Sequence, residues 1–279
     1  MSDSIAPLGL IAGSRSLPLV FADEARRVGR RVVAVAFEGE TDASLASKVD
    51  EIVWLRVGQL SKMIGAFTQR GVGECVMLGQ IAPRNLFDIR PDFRAMSLLL
   101  RLKEKNAHTI FGAIADELAK DGVRVIGAAP WLQPWIPGPG YNAGPSLTPE
   151  LSEAVAYGVR IAREVARLEI GQSVVVKDGT TLAVEGFEGT DACLERGGKL
   201  AGAAGGAVAV KTAKAGHDMR FDIPCIGPRT VQTCADHAIR VLAVEAERTL
   251  LLDRPELEAL ARERRVSVVT FFSEMPVSV

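Results

Sequence analysis

The stretch Leu8-Gly9-Leu10-Ile11-Ala12-Gly13-Ser14-Arg15-Ser16-Leu17-Pro18 decides how the chain is read. Leu8 to Ala12 is a short apolar run that stops at Gly13. Pro18 suits the first turn of a helix, where its missing N–H would be unpaired anyway. A strand, a glycine turn and a helix in that order open a βα unit. The helix is expected to reach Gly29, a natural C-terminal stop. Arg31 to Phe37 and Glu51 to Val57 then read as strands. A helix follows from about Gln59 to Arg70, with Leu60, Ile64 and Phe67 on one face. Glu74 to Leu78 is a further strand, Arg94 to Lys103 and Thr109 to Lys120 are helical, and Val123 to Gly127 is strand-like. Strands that are apolar throughout and alternate with helices imply a parallel sheet covered on both faces, so this half is α/β and Rossmann-like.

The composition changes after this alternation. Ala129 to Pro149 holds Pro130, Pro134, Pro137, Pro139, Pro145 and Pro149, together with Trp131 and Trp135. Prolines this dense argue against helix and central strand. A domain boundary is therefore expected here, with an N-terminal α/β domain over 1–130, a Pro/Gly-rich linker over 131–148 and a C-terminal domain over 149–279. Two tryptophans in such a segment point to packing or binding.

The second half opens on Thr148 as N-cap, with Pro149 at the first helical position and Glu150 and Glu153 near the positive end. Leu151, Ala154, Gly158, Ile161, Val165 and Leu168 step by three and four and are expected to form the buried stripe. Ser173 to Lys177 and Thr181 to Glu185 flank Asp178-Gly179, a strong hairpin signal. Ala207 to Lys211, Val241 to Val244, Thr249 to Leu252 and Val266 to Phe271 read as strands, and Arg254-Pro255 opens a last helix. This half is a mixed α+β domain.

Composition narrows the function. The chain has 279 residues, with 33 Lys plus Arg against 34 Asp plus Glu, a formal net charge of −1. That balance speaks against a generally basic nucleic-acid binder. With 48% apolar and 24% charged residues, a chain of this length builds a core without staples. Cys75, Cys193, Cys225 and Cys234 show no Cys-x-x-Cys spacing, so neither a cysteine zinc site nor a disulfide framework is expected. A signal peptide is not expected from the N-terminal residues, and no run approaches the roughly 20 apolar residues of a membrane span. The reading is a cytoplasmic protein.

Chemistry concentrates in four places. Gly9 to Pro18 sits at a strand's carboxyl end before a helix, where parallel sheets bind ligands and helix N-termini attract phosphate. The plainer alternative is a tight βα turn, because a Gly-x-Gly-x-x-Gly fingerprint is missing. Gly79-Gln80-Ile81-Ala82-Pro83-Arg84-Asn85 leaves another strand end, with Arg84 able to reach a phosphate and Asn85 a base or sugar, or else it is a surface loop. Glu185-Gly186-Phe187-Glu188-Gly189-Thr190-Asp191 gathers oxygen ligands of the kind that suit Mg2+, although Thr190 or Asp191 equally caps the next helix. Lys211 to Thr230 packs Lys211, Lys214, His217, Asp218, Arg220, Asp222 and Arg229 between a strand and a helix. Such a cluster neutralises a diphosphate, holds a metal and activates water, unless it is a solvated loop. His108 and His237 read as structural or exposed, and a Gly-x-Ser-x-Gly elbow or a Walker-type loop is missing.

Taken in order, Leu8-Gly-Leu-Ile-Ala-Gly13…Leu17-Pro18, Glu185…Glu188-Gly-Thr-Asp191 and Lys211…Asp218-x-Arg220-Phe-Asp222-x-Pro224…Gly227…Thr230 resemble the LpxI-type UDP-2,3-diacylglucosamine pyrophosphatases of lipid A biosynthesis. The resemblance spans almost the whole chain. It implies a two-domain, Mg2+-dependent hydrolase that splits the diphosphate of UDP-2,3-diacylglucosamine into UMP and 2,3-diacylglucosamine 1-phosphate. By motif match Asp222 falls on the family's catalytic aspartate, and Glu188, Thr190, Asp191 and Lys211 fall on the polar site around it. The expected roles follow. Asp222, with Asp191 or Glu188, holds the metal or orients water, while Lys211 and Arg220 offset phosphate charge. Gly13, Ser14, Leu17, Gly79, Gln80, Arg84 and Asn85, with Thr190 and Thr230, contact substrate. Two segments depart from the family pattern: Ser14 and Arg15 stand where further glycine is common, and Lys105-Asn106-Ala107-His108 stands where Gly-Asp-Asp is common. Both bear on nucleotide or headgroup preference.

The alternative readings are a nucleotide-sugar-binding protein and another nucleotide-sugar enzyme without this hydrolase activity. A homodimer is the default for such enzymes. Contact with the inner-membrane surface is expected to be transient, since no amphipathic anchor stands out in the sequence.

Overall fold

The computed structural model describes residues 6–81, 91–103, 107–213, 220 and 223–272. The chain folds as two compact units that divide between Gln133 and Pro134, with Arg220 grouping with the first.

The first unit is built on parallel strands β1 (Leu8–Ala12), β2 (Val32–Phe37), β3 (Glu51–Leu55), β4 (Glu74–Leu78) and β5 (Arg124–Val125). Their order is β3-β2-β1-β4-β5, all neighbours parallel. Every residue of β1 and β2 is buried, which is why their sequences are apolar throughout rather than alternating. β3, at the edge, is only partly buried. Helices α1 (Leu17–Arg27), α2 (Leu60–Thr68), α3 (Phe93–Arg101) and α4 (Ala107–Lys120) fill the crossovers. Val33, Val35, Ile64, Phe67, Leu98 and Leu118 meet in one core cluster. The Asp92 carboxylate caps α3 by accepting from the Ala95 N–H at 2.9 Å. Phe93, Met96 and Leu100, spaced to share one side of α3, stay exposed.

The proline-rich segment corrects one expectation. A short helix α5 (Ala129–Leu132) and a 3-10 turn (Gln133–Trp135) form inside it. Pro130 lies in the first turn of α5, where a missing N–H costs nothing, so proline density alone did not forbid helix. Trp131 packs edge-on against Phe21 of α1, ring centroids 5.6 Å apart. The expectation against central strand fits better, because β6 (Asn142–Ala143) pairs only at the sheet's edge.

In the second unit β6 is followed by α6 (Pro149–Arg167), whose N-cap Thr148 accepts from the Leu151 N–H at 3.4 Å. The main sheet has six strands in the order β6-β13-β11-β9-β7-β8. They include β7 (Ser173–Lys177), β8 (Thr180–Val184), β9 (Ala207–Lys211), β11 (Ile239–Glu245) and β13 (Ser267–Phe271). β9, β11 and β13 are parallel, while β6, β7 and β8 run antiparallel to their neighbours. Asp178 at φ 47° and Gly179 at φ 70° make the tight turn between β7 and β8. A second small sheet pairs β10 (Cys225–Ile226) with β12 (Leu250–Leu251). Helices α7 (Thr190–Leu200), α8 (Pro228–Asp236) and α9 (Arg254–Arg264) complete the unit.

The buried face of α6 is rotated from the expected stripe. Val155, Gly158, Val159, Ala162, Val165 and Ala166 are buried, whereas Leu168 is 57% exposed. Gly158 sets this face, since a Cβ there would lie 2.6 Å from Val210 Cγ2 of β9. The helix comes closest to the sheet at its smallest residue, and the flanking valines pack around that contact.

Candidate active site

In the first unit, β1 and β4 are neighbours, so the loops leaving their carboxyl ends meet. This is where the strand order reverses direction, the usual ligand position in such sheets. The Gly13 N–H donates to the Leu78 carbonyl at 2.8 Å, and the Ser14 N–H and hydroxyl both donate to the Gln80 carbonyl at 2.7 Å. A Cβ on Gly13 would lie 2.6 Å from the Gln80 carbonyl oxygen, and one on Gly79 would lie 2.6 Å from that of Ser14. Gly79 also has φ +91°, a backbone that L side chains rarely adopt. Gly13, Ser14, Gly79 and Gln80, expected from two separate motifs, thus form one backbone crossing. Arg15 next to it holds φ 72° without being glycine. Leu17 is different, being 8% exposed and part of the helix's buried side. Arg84 and Asn85 lie outside the described residues.

In the second unit, four side chains converge where β7 begins and β8 and β9 end. Ser173 and Lys211 are register partners in antiparallel β7 and β9. Glu185 follows β8 and Thr190 opens α7. Lys211 Nζ donates to Thr190 Oγ1 at 2.8 Å, and Thr190 Oγ1 donates to Glu185 Oε1 at 3.1 Å. Ser173 Oγ approaches the same Thr190 Oγ1 at 3.4 Å. Lys211 is 7% exposed. A buried ammonium needs a counter-charge, and here a hydroxyl bridges it to a carboxylate. Glu185 Oε2 is buried with no hydrogen-bond partner among the described residues. The arrangement offers a fixed positive charge, a hydroxyl and an unengaged carboxylate oxygen together.

Glu188 and Asp191 are engaged differently. Glu188 accepts from the Gly186 N–H at 3.1 Å and from Arg196 Nη2 at 2.5 Å. Backbone hydrogen bonding first, then Arg196, holds its carboxyl below the ordinary glutamate value. Asp191, in the first turn of α7, pairs with Arg229 at 3.0 Å. Thr230 sits in the first turn of α8, its N–H donating to the Gly227 carbonyl at 3.0 Å. Lys211 and Arg220 fall in different units. Asp222 lies outside the described residues.

These residues bear on magnesium. Among the described residues, His, Cys, Asp and Glu nowhere gather in a group of three able to hold a metal ion. Two of the expected ligands, Glu188 and Asp191, each direct carboxylate oxygen to an arginine. That is the chemistry of ion pairs, and the described residues by themselves do not complete a magnesium site.

Ser173 and Arg196 carry no role in the sequence analysis, whereas Glu185 stands there among the oxygen donors suited to Mg2+ and Arg229 in the charged cluster over 211–230. Ser173 has a local signal, as the polar residue that opens the apolar run Val174 to Val176. The partners that Glu185 and Arg229 meet, Thr190 and Asp191, are what the sequence leaves unread.

Comparison with known proteins agrees along the chain. Residues 7–135 match the LpxI N-terminal domain and residues 139–269 the LpxI C-terminal domain. A protein of Caulobacter vibrioides named UDP-2,3-diacylglucosamine pyrophosphatase LpxI is 30% identical over 263 residues, covering 91% of this chain and 93% of that protein. Solved structures are far less similar. A dCMP deaminase from the cyanophage S-TIM5 aligns with a TM-score of 0.26 at 15% identity, covering 45% of this chain and 100% of that one. A biotin carboxylase subunit of pyruvate carboxylase aligns at 0.27 and 13%, covering 66% and 36%. Likeness so slight carries no argument. Both halves match in order, and one relative is similar from end to end, so the chain belongs to the LpxI family.

Proposed function

We propose that this protein hydrolyses the diphosphate of UDP-2,3-diacylglucosamine, releasing UMP and 2,3-diacylglucosamine 1-phosphate. The observation that carries this reading is the end-to-end similarity to the Caulobacter vibrioides protein named for that activity. The reaction breaks one P–O bond of the diphosphate and forms one from water. It needs charge neutralisation and an oriented water more than a covalent nucleophile. Lys211 supplies positive charge for a phosphate oxygen, held in place by Thr190, and Glu185 keeps that hydroxyl oriented. Asp222 orients the attacking water, and Arg220 and Thr230 contact the phosphates. Gly13, Ser14, Gly79 and Gln80 receive the uridine nucleotide, a role that suits loops at the carboxyl ends of parallel strands where the strand order reverses. Arg84 and Asn85, which follow in the sequence, are proposed to contact the same nucleotide.

Magnesium dependence belongs to the proposal. Asp222 with Asp191 or Glu188 would hold the ion, which supplies Lewis-acid charge when bound. For Asp191 and Glu188 this requires exchanging an arginine partner. The protein acts in the cytoplasm as a homodimer that touches the inner membrane transiently. Exposed Phe93, Met96 and Leu100 on α3 support that surface contact. The described residues contain no helix long and apolar enough to cross a membrane.

The test is UMP release from UDP-2,3-diacylglucosamine with Mg2+, with a chelator, and with Asp222→Ala. Release that stops on chelation and in the variant supports the reading. A folded wild type that binds uridine nucleotide without turnover overturns it in favour of a binding protein. Full activity in the variant keeps the hydrolase and removes Asp222 from its mechanism.

A further inference from the structure

We infer that Glu245, far from the sequence motifs, is a positioning residue for Lys211. The inference rests on the reading of Lys211 as a group of the hydrolytic site.

Glu245 ends β11 and is 3% exposed. β11 runs parallel to β9, with Val244 opposite Lys211 in the register. The Glu245 carboxylate therefore lies just past the residue that carries the site's cation. Its Oε2 accepts from the Ala213 N–H at 2.8 Å and from the Thr212 hydroxyl at 2.8 Å. These are the two residues that follow Lys211. A buried carboxylate is costly unless its oxygens are engaged, so it has a strong preference for this geometry. Arg248 pairs with the other oxygen, Oε1, at 3.4 Å, and offsets the charge.

The other side of the strand exit is held by backbone. The Thr212 N–H donates to the Gln172 carbonyl at 2.9 Å, just before the Ser173 that faces Lys211. The turn after Glu245 also grips a second strand. The Leu250 N–H donates to the Pro224 carbonyl at 2.8 Å and the Leu252 N–H to that of Ile226 at 2.8 Å. The segment from Glu245 to Leu252, which ends in β12, thus meets the exit of β9 through Glu245 and pairs with β10 through β12. Parallel strands end in irregular loops, and a strand end frays unless something caps it. Here a side chain does so one residue beyond the ammonium whose place matters.

A positioning role predicts a loss in kcat with KM little changed, because the lysine remains but is held less firmly. The experiment compares wild type, Glu245→Gln, Glu245→Ala and Thr212→Val in UMP release and in amide hydrogen exchange. Glu245→Ala is expected to lower kcat by about tenfold or more, with KM within about threefold. It is expected to speed exchange at Ala213 while the β1–β4 strands stay protected. Glu245→Gln keeps an acceptor oxygen and is expected to retain most activity and most protection at Ala213. Thr212→Val is expected to fall between them and to be non-additive with Glu245→Ala. Unchanged kcat in Glu245→Ala overturns the inference. So does unchanged exchange at Ala213, or a global loss of protection in Glu245→Gln equal to that of Glu245→Ala. If the wild type releases no UMP, the proposed function fails by itself, and the exchange contrast at Ala213 still decides whether Glu245 holds the strand end.

Discussion

The Lys211 ammonium donates to the Thr190 hydroxyl at 2.8 Å, and through it the cation of β9 is tied to the first turn of α7 and to Glu185. Two chain segments, 185–190 and the end of β9, thus hold one charge in place. Thr190→Val keeps the shape and removes the bridge, leaving a buried ammonium short of a partner. Loss of a buried partner costs about 1–3 kcal/mol. UMP release is expected to fall by about 100-fold in Thr190→Val and Lys211→Met, while Thr190→Ser keeps most activity. Steady-state kinetics beside thermal melts check this. Equal activity in Thr190→Val and wild type would remove the bridge from the mechanism.

The crossing of Gly13 and Gly79 makes a stability prediction. Gly79→Ala brings a methyl to 2.6 Å from the Ser14 carbonyl oxygen at φ +91°. Gly39→Ala, at φ +78° with nothing within 4 Å, carries backbone strain alone. Gly39→Ala is expected to cost about 1 kcal/mol. Gly79→Ala is expected to cost clearly more and to weaken uridine nucleotide binding. Denaturant melts of the two variants provide the comparison, and equal losses would show that the crossing relaxes freely.

Thiol reactivity separates the cysteines. Cys75, Cys193 and Cys234 are buried and Cys225 is partly exposed. Burial pushes the Cys75 and Cys193 thiols up to about 12 and raises Cys234 too. The thiolate is the reactive form. In native protein a disulfide reagent is expected to modify Cys225 first, with the other three released by denaturant. Rapid modification of Cys193 in the folded state would contradict its burial on the inner face of α7.

Acid should weaken the second unit through Glu258. A hydrogen bond from Arg254 at 2.9 Å, supported by one from Tyr141 at 3.0 Å, holds the Glu258 carboxyl below its ordinary value against burial. A carboxyl depressed in the folded state adds stability above its unfolded pKa, about 4.3. That stability is lost as pH falls through the lower folded pKa. Glu258→Gln is therefore expected to destabilise by about 1 kcal/mol near neutral pH. The gap from wild type should shrink as pH approaches 3, as urea melts across pH will show. A gap independent of pH would mean that the side chain packs without titrating.

Much of the fold is legible locally. Apolar runs ending in glycine mark the strands, Asp178-Gly179 gives the turn through two positive φ angles, and Thr148-Pro149 starts α6 by satisfying or removing orphan N–H groups. Departures come where neighbours decide. The buried face of α6 follows the close approach of Gly158 to Val210, which no period of three and four encodes. Pro130 tolerates a helix because of its place in the first turn. At the candidate site, Thr190 and Lys211 carried readable signals, whereas the partners of Glu188 and Asp191 depend on where Arg196 and Arg229 reach in space.

The sequence by itself determined the two-part α/β and α+β organisation, the family, and the segments where chemistry gathers. Those properties arise from steric limits, side-chain period and residue type within short windows. Only the tertiary structure decided that Gly13 meets Gly79, that Glu185 completes the Lys211–Thr190 bridge, and that Glu245 caps the end of β9. Each depends on strands distant in sequence becoming neighbours. Burying the sheet's apolar faces sets that pairing, and hydrogen bonding of the polar groups left at its ends completes it.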